Sequence, residues 1–247
     1  LFVVAVILIS NKVIGVEVQN LGLKTKNDSG KIFITIGDSI TARDKQLYGT
    51  KEPYVGYQQH IKEALNMDMY INLGISGATI ARGTEYLRGL SKLLIDFNAE
   101  DVDFIIIQAG TNDFALGVPL GDKSELTKEN PDRYNFYGGY VGLVKDLKRN
   151  NPNVEIYLWT PTKRDCTKFN NNCTNINGNH LEEYVSVIKQ IGTYLDVKVV
   201  DMYEIEELTN ETLNIYTVDG LHLNNKGYEL VAKKFINEYI KTKELAK

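Results

Sequence analysis

Four short stretches of this 247-residue chain carry residue types suited to hydrolysis by an activated serine. The first is Gly37-Asp38-Ser39-Ile40-Thr41. A serine hydroxyl is a weak nucleophile until a base removes its proton, and the base itself needs a partner to orient it. The chain holds three histidines. His60 falls in a predicted helix and His180 at a helix start in a polar loop. His222 follows Asp219 by three residues on one loop. That spacing lets the carboxylate hold one ring nitrogen and leaves the other for Ser39. Donors for a developing oxyanion come from the other two stretches. Gly74 offers a backbone N–H unobstructed by a side chain, and Asn112 offers an amide that donates without carrying charge. Asp113 would orient Asn112 or its loop, and Asp38 flanks Ser39 as a further support.

Each of these residues also has a plain structural reading. Ser39 can be a turn residue at a strand end, Asp219 a turn or cap residue, and His222 a surface side chain. Gly74 can simply terminate a strand, Asn112 can form an Asx-type turn, and Asp113 can cap a helix. The elements that carry the residues therefore decide.

Short apolar, β-branched runs predict strands at 32–37, 69–73, 103–109, 154–160 and 197–201. Helices are expected at 53–65, 84–97, 134–148, 181–195 and 224–241, with loops at 114–131, 161–179 and 203–220. Strands alternating with helices imply right-handed crossovers and a parallel sheet. The expected architecture is a three-layer α/β/α, flavodoxin-like, doubly wound sheet of about five strands, in one domain over 31–243. All carboxyl ends of parallel strands lie on one side, so the four stretches should converge on one sheet edge.

Composition narrows the partners. With 43% hydrophobic and 24% charged residues, the chain can bury a core and is not disordered. A net charge of −4 leaves no basic excess to neutralise phosphates, which argues against nucleic acid. Leu1 to Ser10 form nine apolar residues and a serine, too short to span a bilayer. We read residues 1–15 as part of a secretory signal peptide, with Val13-Ile14-Gly15 as its small-residue end. Export to an extracytoplasmic compartment is thus expected, without stable membrane insertion. In such a compartment Cys166 and Cys173, the only cysteines, could close a small disulfide loop. Two thiols without further ligands nearby do not make a zinc site.

The stretches Gly37-Asp38-Ser39-Ile40-Thr41, Asn72-Leu73-Gly74-Ile75-Ser76-Gly77, Gly110-Thr111-Asn112-Asp113 and Asp219-Gly220-Leu221-His222 occur in that order. Together they resemble the four blocks of the SGNH/GDSL hydrolases, over roughly residues 31 to 240. The resemblance implies Ser39 as nucleophile, His222 as base and Asp219 as its orienting acid. It implies an oxyanion hole made by the N–H groups of Ser39 and Gly74 and the amide of Asn112. It implies no metal and no cofactor. The flanks of Ser39 differ from the Gly-x-Ser-x-Gly elbow of α/β-hydrolases. Gln108-Ala109 precedes the third block, where the family often has an aliphatic or small residue. Gln108 can point into the site or pair with a neighbour.

The loops 114–133 and 161–179 should line the substrate pocket. They are polar, with scattered aromatic residues and no long apolar lid. An esterase that removes small acyl groups such as acetyl from carbohydrate fits this pattern. A lipase, lysophospholipase or thioesterase on the same residues is the alternative among enzymes. A non-catalytic flavodoxin-like binding domain is the alternative of another class. Lys163 and Arg164, just past the fourth strand, are read as ordinary loop charges, although either could touch a polar or anionic substrate.

Overall fold

The computed structural model describes residues 30–47, 51–82, 89–97, 102–169 and 173–245. The proposed signal segment at 1–15 lies outside them. So does the stretch 84–88 of one predicted helix. In chain order the elements are β1 (Ile32–Gly37), α1 (Ser39–Ala42), α2 (Tyr57–Ala64), β2 (Met69–Gly74), α3 (Leu90–Leu93), β3 (Phe104–Gln108) and α4 (Thr111–Ala115). They continue with α5 (Phe136–Asn150), β4 (Glu155–Trp159), α6 (Cys166–Phe169), α7 (Leu181–Leu195), β5 (Lys198–Val200), α8 (Leu213–Tyr216) and α9 (Asn225–Leu245).

All five strands pair in parallel, in the order β2-β1-β3-β4-β5. This is the doubly wound, flavodoxin-like sheet expected from the alternation of strands and helices. β1 and β3 are buried at every position, as continuous apolar runs require when both faces of a sheet are covered. Along β3, successive side chains enter opposite layers. Ile105 and Ile107 pack with Tyr140 and Val144 of α5 and Ile188 of α7. Phe104 and Ile106 pack with Tyr57 and Ile61 of α2 and with Tyr228 and Phe235 of α9. The second layer is rich in rings. Phe33 stacks on Phe104 at 5.0 Å, and Tyr57 leans on Trp159 at 4.6 Å.

Three departures from the predicted elements matter for the site. The helix expected over 84–97 is a single turn, Leu90–Leu93, in its described part. The expected 114–131 loop is not free of structure. Its start belongs to α4, and a 3-10 turn forms at Lys123–Leu126, where Asp122 accepts the Ser124 N–H at 2.7 Å. Helices this short show no apolar period in sequence, so periodicity could not reveal them. Third, α2 starts at Tyr57 rather than 53, because Gly56 is still extended (φ −68°, ψ 163°). Cys173 is disulfide-bonded.

The register aligns the carboxyl ends of the strands. Gly37 sits opposite Gly74 on one side and Gln108 on the other, and Gln108 sits opposite Trp159. Strand order reverses between β1 and β3, so the crevice where ligands bind in such sheets opens beside the end of β1.

Candidate active site

Ser39 is the first residue of α1, directly past β1. Asp38 caps this turn, its Oδ1 accepting the Ile40 N–H at 2.9 Å. The N–H of Asp38 donates to the Gln108 carbonyl at 3.3 Å, tying the ends of β1 and β3 together. From α9, the Tyr228 hydroxyl donates to the Ile40 carbonyl at 2.8 Å and anchors α1. Beneath α1, the Thr41 hydroxyl meets the Tyr57 hydroxyl at 2.9 Å and donates to Gln108 Oε1 at 3.0 Å. Gln108 therefore pairs with a neighbour under the nucleophile turn. Buried polar groups linked in this way fix one geometry.

His222 reaches this turn from the loop before α9. Its Nε2 lies 2.9 Å from Ser39 Oγ, and its Nδ1 lies 2.6 Å from Asp219 Oδ2. A carboxylate only accepts, so Nδ1 carries the proton and Nε2 is free to accept from the serine. Asp219 Oδ1 also accepts the backbone N–H of His222 at 2.7 Å and of Leu221 at 3.0 Å. The turn closes at Gly220, whose φ of +88° favours glycine. Its N–H donates to Thr217 Oγ1 at 2.9 Å.

Electrostatics suit a neutral imidazole beside a charged carboxylate. Burial lowers the His222 pKa below the ordinary imidazole value; Asp219 opposes the shift, while Arg43 and Arg164 add to it. Burial would raise the Asp219 carboxyl, but the N–H and ring of His222 outweigh it and leave Asp219 below its ordinary value.

The third stretch forms α4. Asn112 Nδ2 donates to the Ala78 carbonyl at 2.9 Å, using one of its two amide hydrogens. Asp113 is fully buried and organises the loop after β2. Its carboxylate accepts the N–H of Ile80 (3.1 and 2.9 Å) and of Ala81 (3.0 Å). The loop it holds is therefore the one after β2, not the one that carries Asn112. Burial pushes both Asp38 and Asp113 up to about 7.

Gly74 departs from expectation. Its N–H is not open but donates to Asn72 Oδ1 at 2.9 Å, and Asn72 Nδ2 in turn donates to the Thr41 carbonyl at 2.8 Å. An Asx-type contact two residues on is local chemistry that competes for the same N–H. What the structure demands of Gly74 is space. A Cβ there would lie 2.4 Å from the Ala42 nitrogen and 2.7 Å from its Cα. The absent side chain lets α1 sit against β2.

Arg164 also departs from expectation. Lys163 lies over the Tyr203 ring, 5.1 Å from its centroid, as a loop charge would. Arg164 is instead buried at 6% exposure and bonded to Thr111. Arg164 and Asn72 are the functional neighbours that sequence reasoning undervalued. The one available signal for Arg164 was its place just past the end of β4, on the edge where the other stretches meet.

Serine, histidine and aspartate in line at the switch point of a doubly wound sheet form the arrangement of a serine-dependent hydrolase. The model of the GDSL-like lipase/acylhydrolase family matches residues 35–230, so the chain belongs to that family and is an ester hydrolase. Solved structures agree in fold. A protein of Lactobacillus plantarum is 26% identical, with a TM-score of 0.71 over 87% of this chain and 98% of its own. A possible lipase from Chitinophaga pinensis is 24% identical, with a TM-score of 0.71 over 85% and 98%. An acetyl xylan esterase is 22% identical, with a TM-score of 0.57 over 84% and 98%. No curated protein sequence matches the chain.

Proposed function

We propose that Ser39, His222 and Asp219 are the catalytic residues and that the esters cleaved carry small acyl groups, such as acetyl, on carbohydrate or similarly polar alcohols. The observation that carries the catalytic assignment is the unbroken chain from Ser39 Oγ to His222 Nε2 (2.9 Å) and from His222 Nδ1 to Asp219 (2.6 Å). Ser39 Oγ bonds to the acyl carbon as its proton passes to Nε2. The carbonyl electrons move onto oxygen and are held by the N–H of Ser39 and the free amide hydrogen of Asn112. The N–H of Gly74 joins them only if the oxyanion draws it from Asn72. Collapse expels the alcohol, which takes the proton from His222. Water then repeats the sequence on the acyl-enzyme, with His222 again as base, and frees the acid and Ser39.

The small-acyl reading is supported by the polar loop 161–165, which contacts Thr111 and Gly220 beside the site, and by the acetyl xylan esterase among the structural relatives. Extracytoplasmic localisation is supported by the disulfide at Cys173 and the apolar run at Leu1–Ser10. N-terminal sequencing of protein secreted by expressing cells tests that localisation; retention inside the cells counts against it. Among the described residues no helix is long and apolar enough to cross a membrane.

A fluorophosphonate probe tests the catalytic residues. Wild type should be labelled and Ser39→Ala should not, and unlabelled, folded wild type would sink the assignment. Nitrophenyl esters of rising chain length and acetylated xylan test the substrate. A preference for long chains, or no deacetylation of glycans, replaces it with the lipase alternative.

A further inference from the structure

Arg164 sits on the loop after β4, and the proton path from Ser39 to Asp219 does not pass through it. We propose that Arg164 is a positioning residue: it fixes α4, and with it the Asn112 amide, beside the loop that carries Asp219 and His222, to which its neighbour Asp165 is bonded. The inference rests on the serine-hydrolase reading above.

The contacts are specific. Arg164 Nη1 donates to the Thr111 carbonyl at 3.1 Å and to Thr111 Oγ1 at 3.0 Å. Thr111 opens α4, and Asn112 is the next residue. The guanidinium also lies over the ring of Phe114, 5.6 Å from its centroid, one turn further along the same helix. One buried side chain therefore grips α4 by its start and by its next turn. The following residue holds the other half of the site. The Asp165 N–H donates to the Gly220 carbonyl at 2.7 Å, between Asp219 and His222. A Cβ on Gly220 would meet Asp165 Cβ at 2.6 Å, so the two loops are packed backbone to side chain. Two consecutive residues thus join the oxyanion side of the crevice to the base side.

Arginine suits this place better than lysine. Its planar guanidinium lies over the Phe114 ring while Nη1 bonds Thr111, whereas an ammonium is a point charge with no plane to lay on a ring. Burial disfavours the charged guanidinium, and the attraction of Asp38 and Asp219 offsets part of that cost. The charge also reaches the base. The charged groups acting on His222 are Asp219, Arg43 and Arg164, and both cations disfavour the imidazolium. Arg164 therefore has two separable effects, one of geometry on Asn112 and one of charge on His222.

The test compares R164K and R164Q with wild type and S39A on a nitrophenyl acetate, with folding monitored by circular dichroism. A misplaced catalytic group costs about 10- to 100-fold, so kcat should fall by that factor in both arginine variants with KM little changed. The acid limb of the kcat/KM profile should move upward in R164Q, where a cation is lost, and stay near wild type in R164K. Added guanidinium should restore part of the R164Q rate. The proposal is overturned by wild-type kcat in either folded variant, or by a loss confined to KM. If R164Q does not fold, R164K decides by the same kcat criterion. An inactive S39A beside a fully active R164K overturns this inference alone. An active S39A instead removes the serine-hydrolase reading beneath it.

Discussion

Asp219 holds His222 at two points, its Oδ2 on the ring Nδ1 at 2.6 Å and its Oδ1 on the backbone N–H at 2.7 Å. One carboxylate thereby fixes both where the imidazole sits and which nitrogen faces Ser39. Asp219→Asn can keep the backbone contact through its amide oxygen, but its NH2 group then faces Nδ1. That donor forces the ring proton onto Nε2, where it cannot accept from the serine. Loss of the tautomer should lower kcat by about 10³- to 10⁴-fold with little change in fold. Steady-state kinetics alongside circular dichroism check it; a loss below tenfold in a folded variant removes Asp219 from the mechanism.

The pH dependence follows from the lowered pKa of His222, caused first by burial and then by Arg43 and Arg164 against Asp219. The base works when neutral. A pKa below the ordinary imidazole value keeps it neutral to lower pH, so activity is lost only as pH falls through that lowered value. The acid limb of kcat/KM should therefore have its midpoint below about 6.5. The sign for stability is the same. The unfolded chain takes up a proton on this ring before the folded one does, so this residue's contribution declines as pH falls below the unfolded value. A pH–rate profile with an NMR titration of the ring checks both, and an acid limb above the ordinary value refutes the assignment.

Gly74→Ala separates space from hydrogen bonding. The substitution keeps the N–H, so a residue needed only as a donor would tolerate it. The new methyl would press on the Ala42 backbone at 2.4 Å, where no flexible side chain can give way. Overpacking of this kind costs about 1–3 kcal/mol, and the shift of α1 should reduce kcat as well. Thermal unfolding and kinetics on the purified variant measure the two effects. Unchanged stability would mean that α1 and β2 can part without strain.

The sheet was legible because its strands are apolar runs too long for turns and too short for helices. The run from Asp103 to Ala109 predicts a central strand, and Phe104–Gln108 is the middle of the sheet. The order of the four stretches made Ser39, His222 and Asp219 legible, since parallel strands bring their ends together whatever the separation. Contacts made by side chains across the fold were not. Nothing local in Asn72 says that its amide nitrogen serves the Thr41 carbonyl, 31 residues away. Nothing local in Arg164 distinguishes a solvated loop charge from a guanidinium seated on Thr111 and Phe114. Such pairings depend on distances set only after the sheet has closed. The helical turn α4 was missed for another reason: five residues hold too little periodicity to be read.

Ser39 and His222, the proposed nucleophile and base, stand 183 residues apart in the chain, and their 2.9 Å contact closes across nearly the whole fold. A chain made from its amino terminus exposes Ser39 early, yet the hydroxyl stays inert until the loop before α9 arrives. No fragment ending short of that loop can form the pair. The proposed catalytic pair therefore forms only once the chain has been made and folded at least as far as His222.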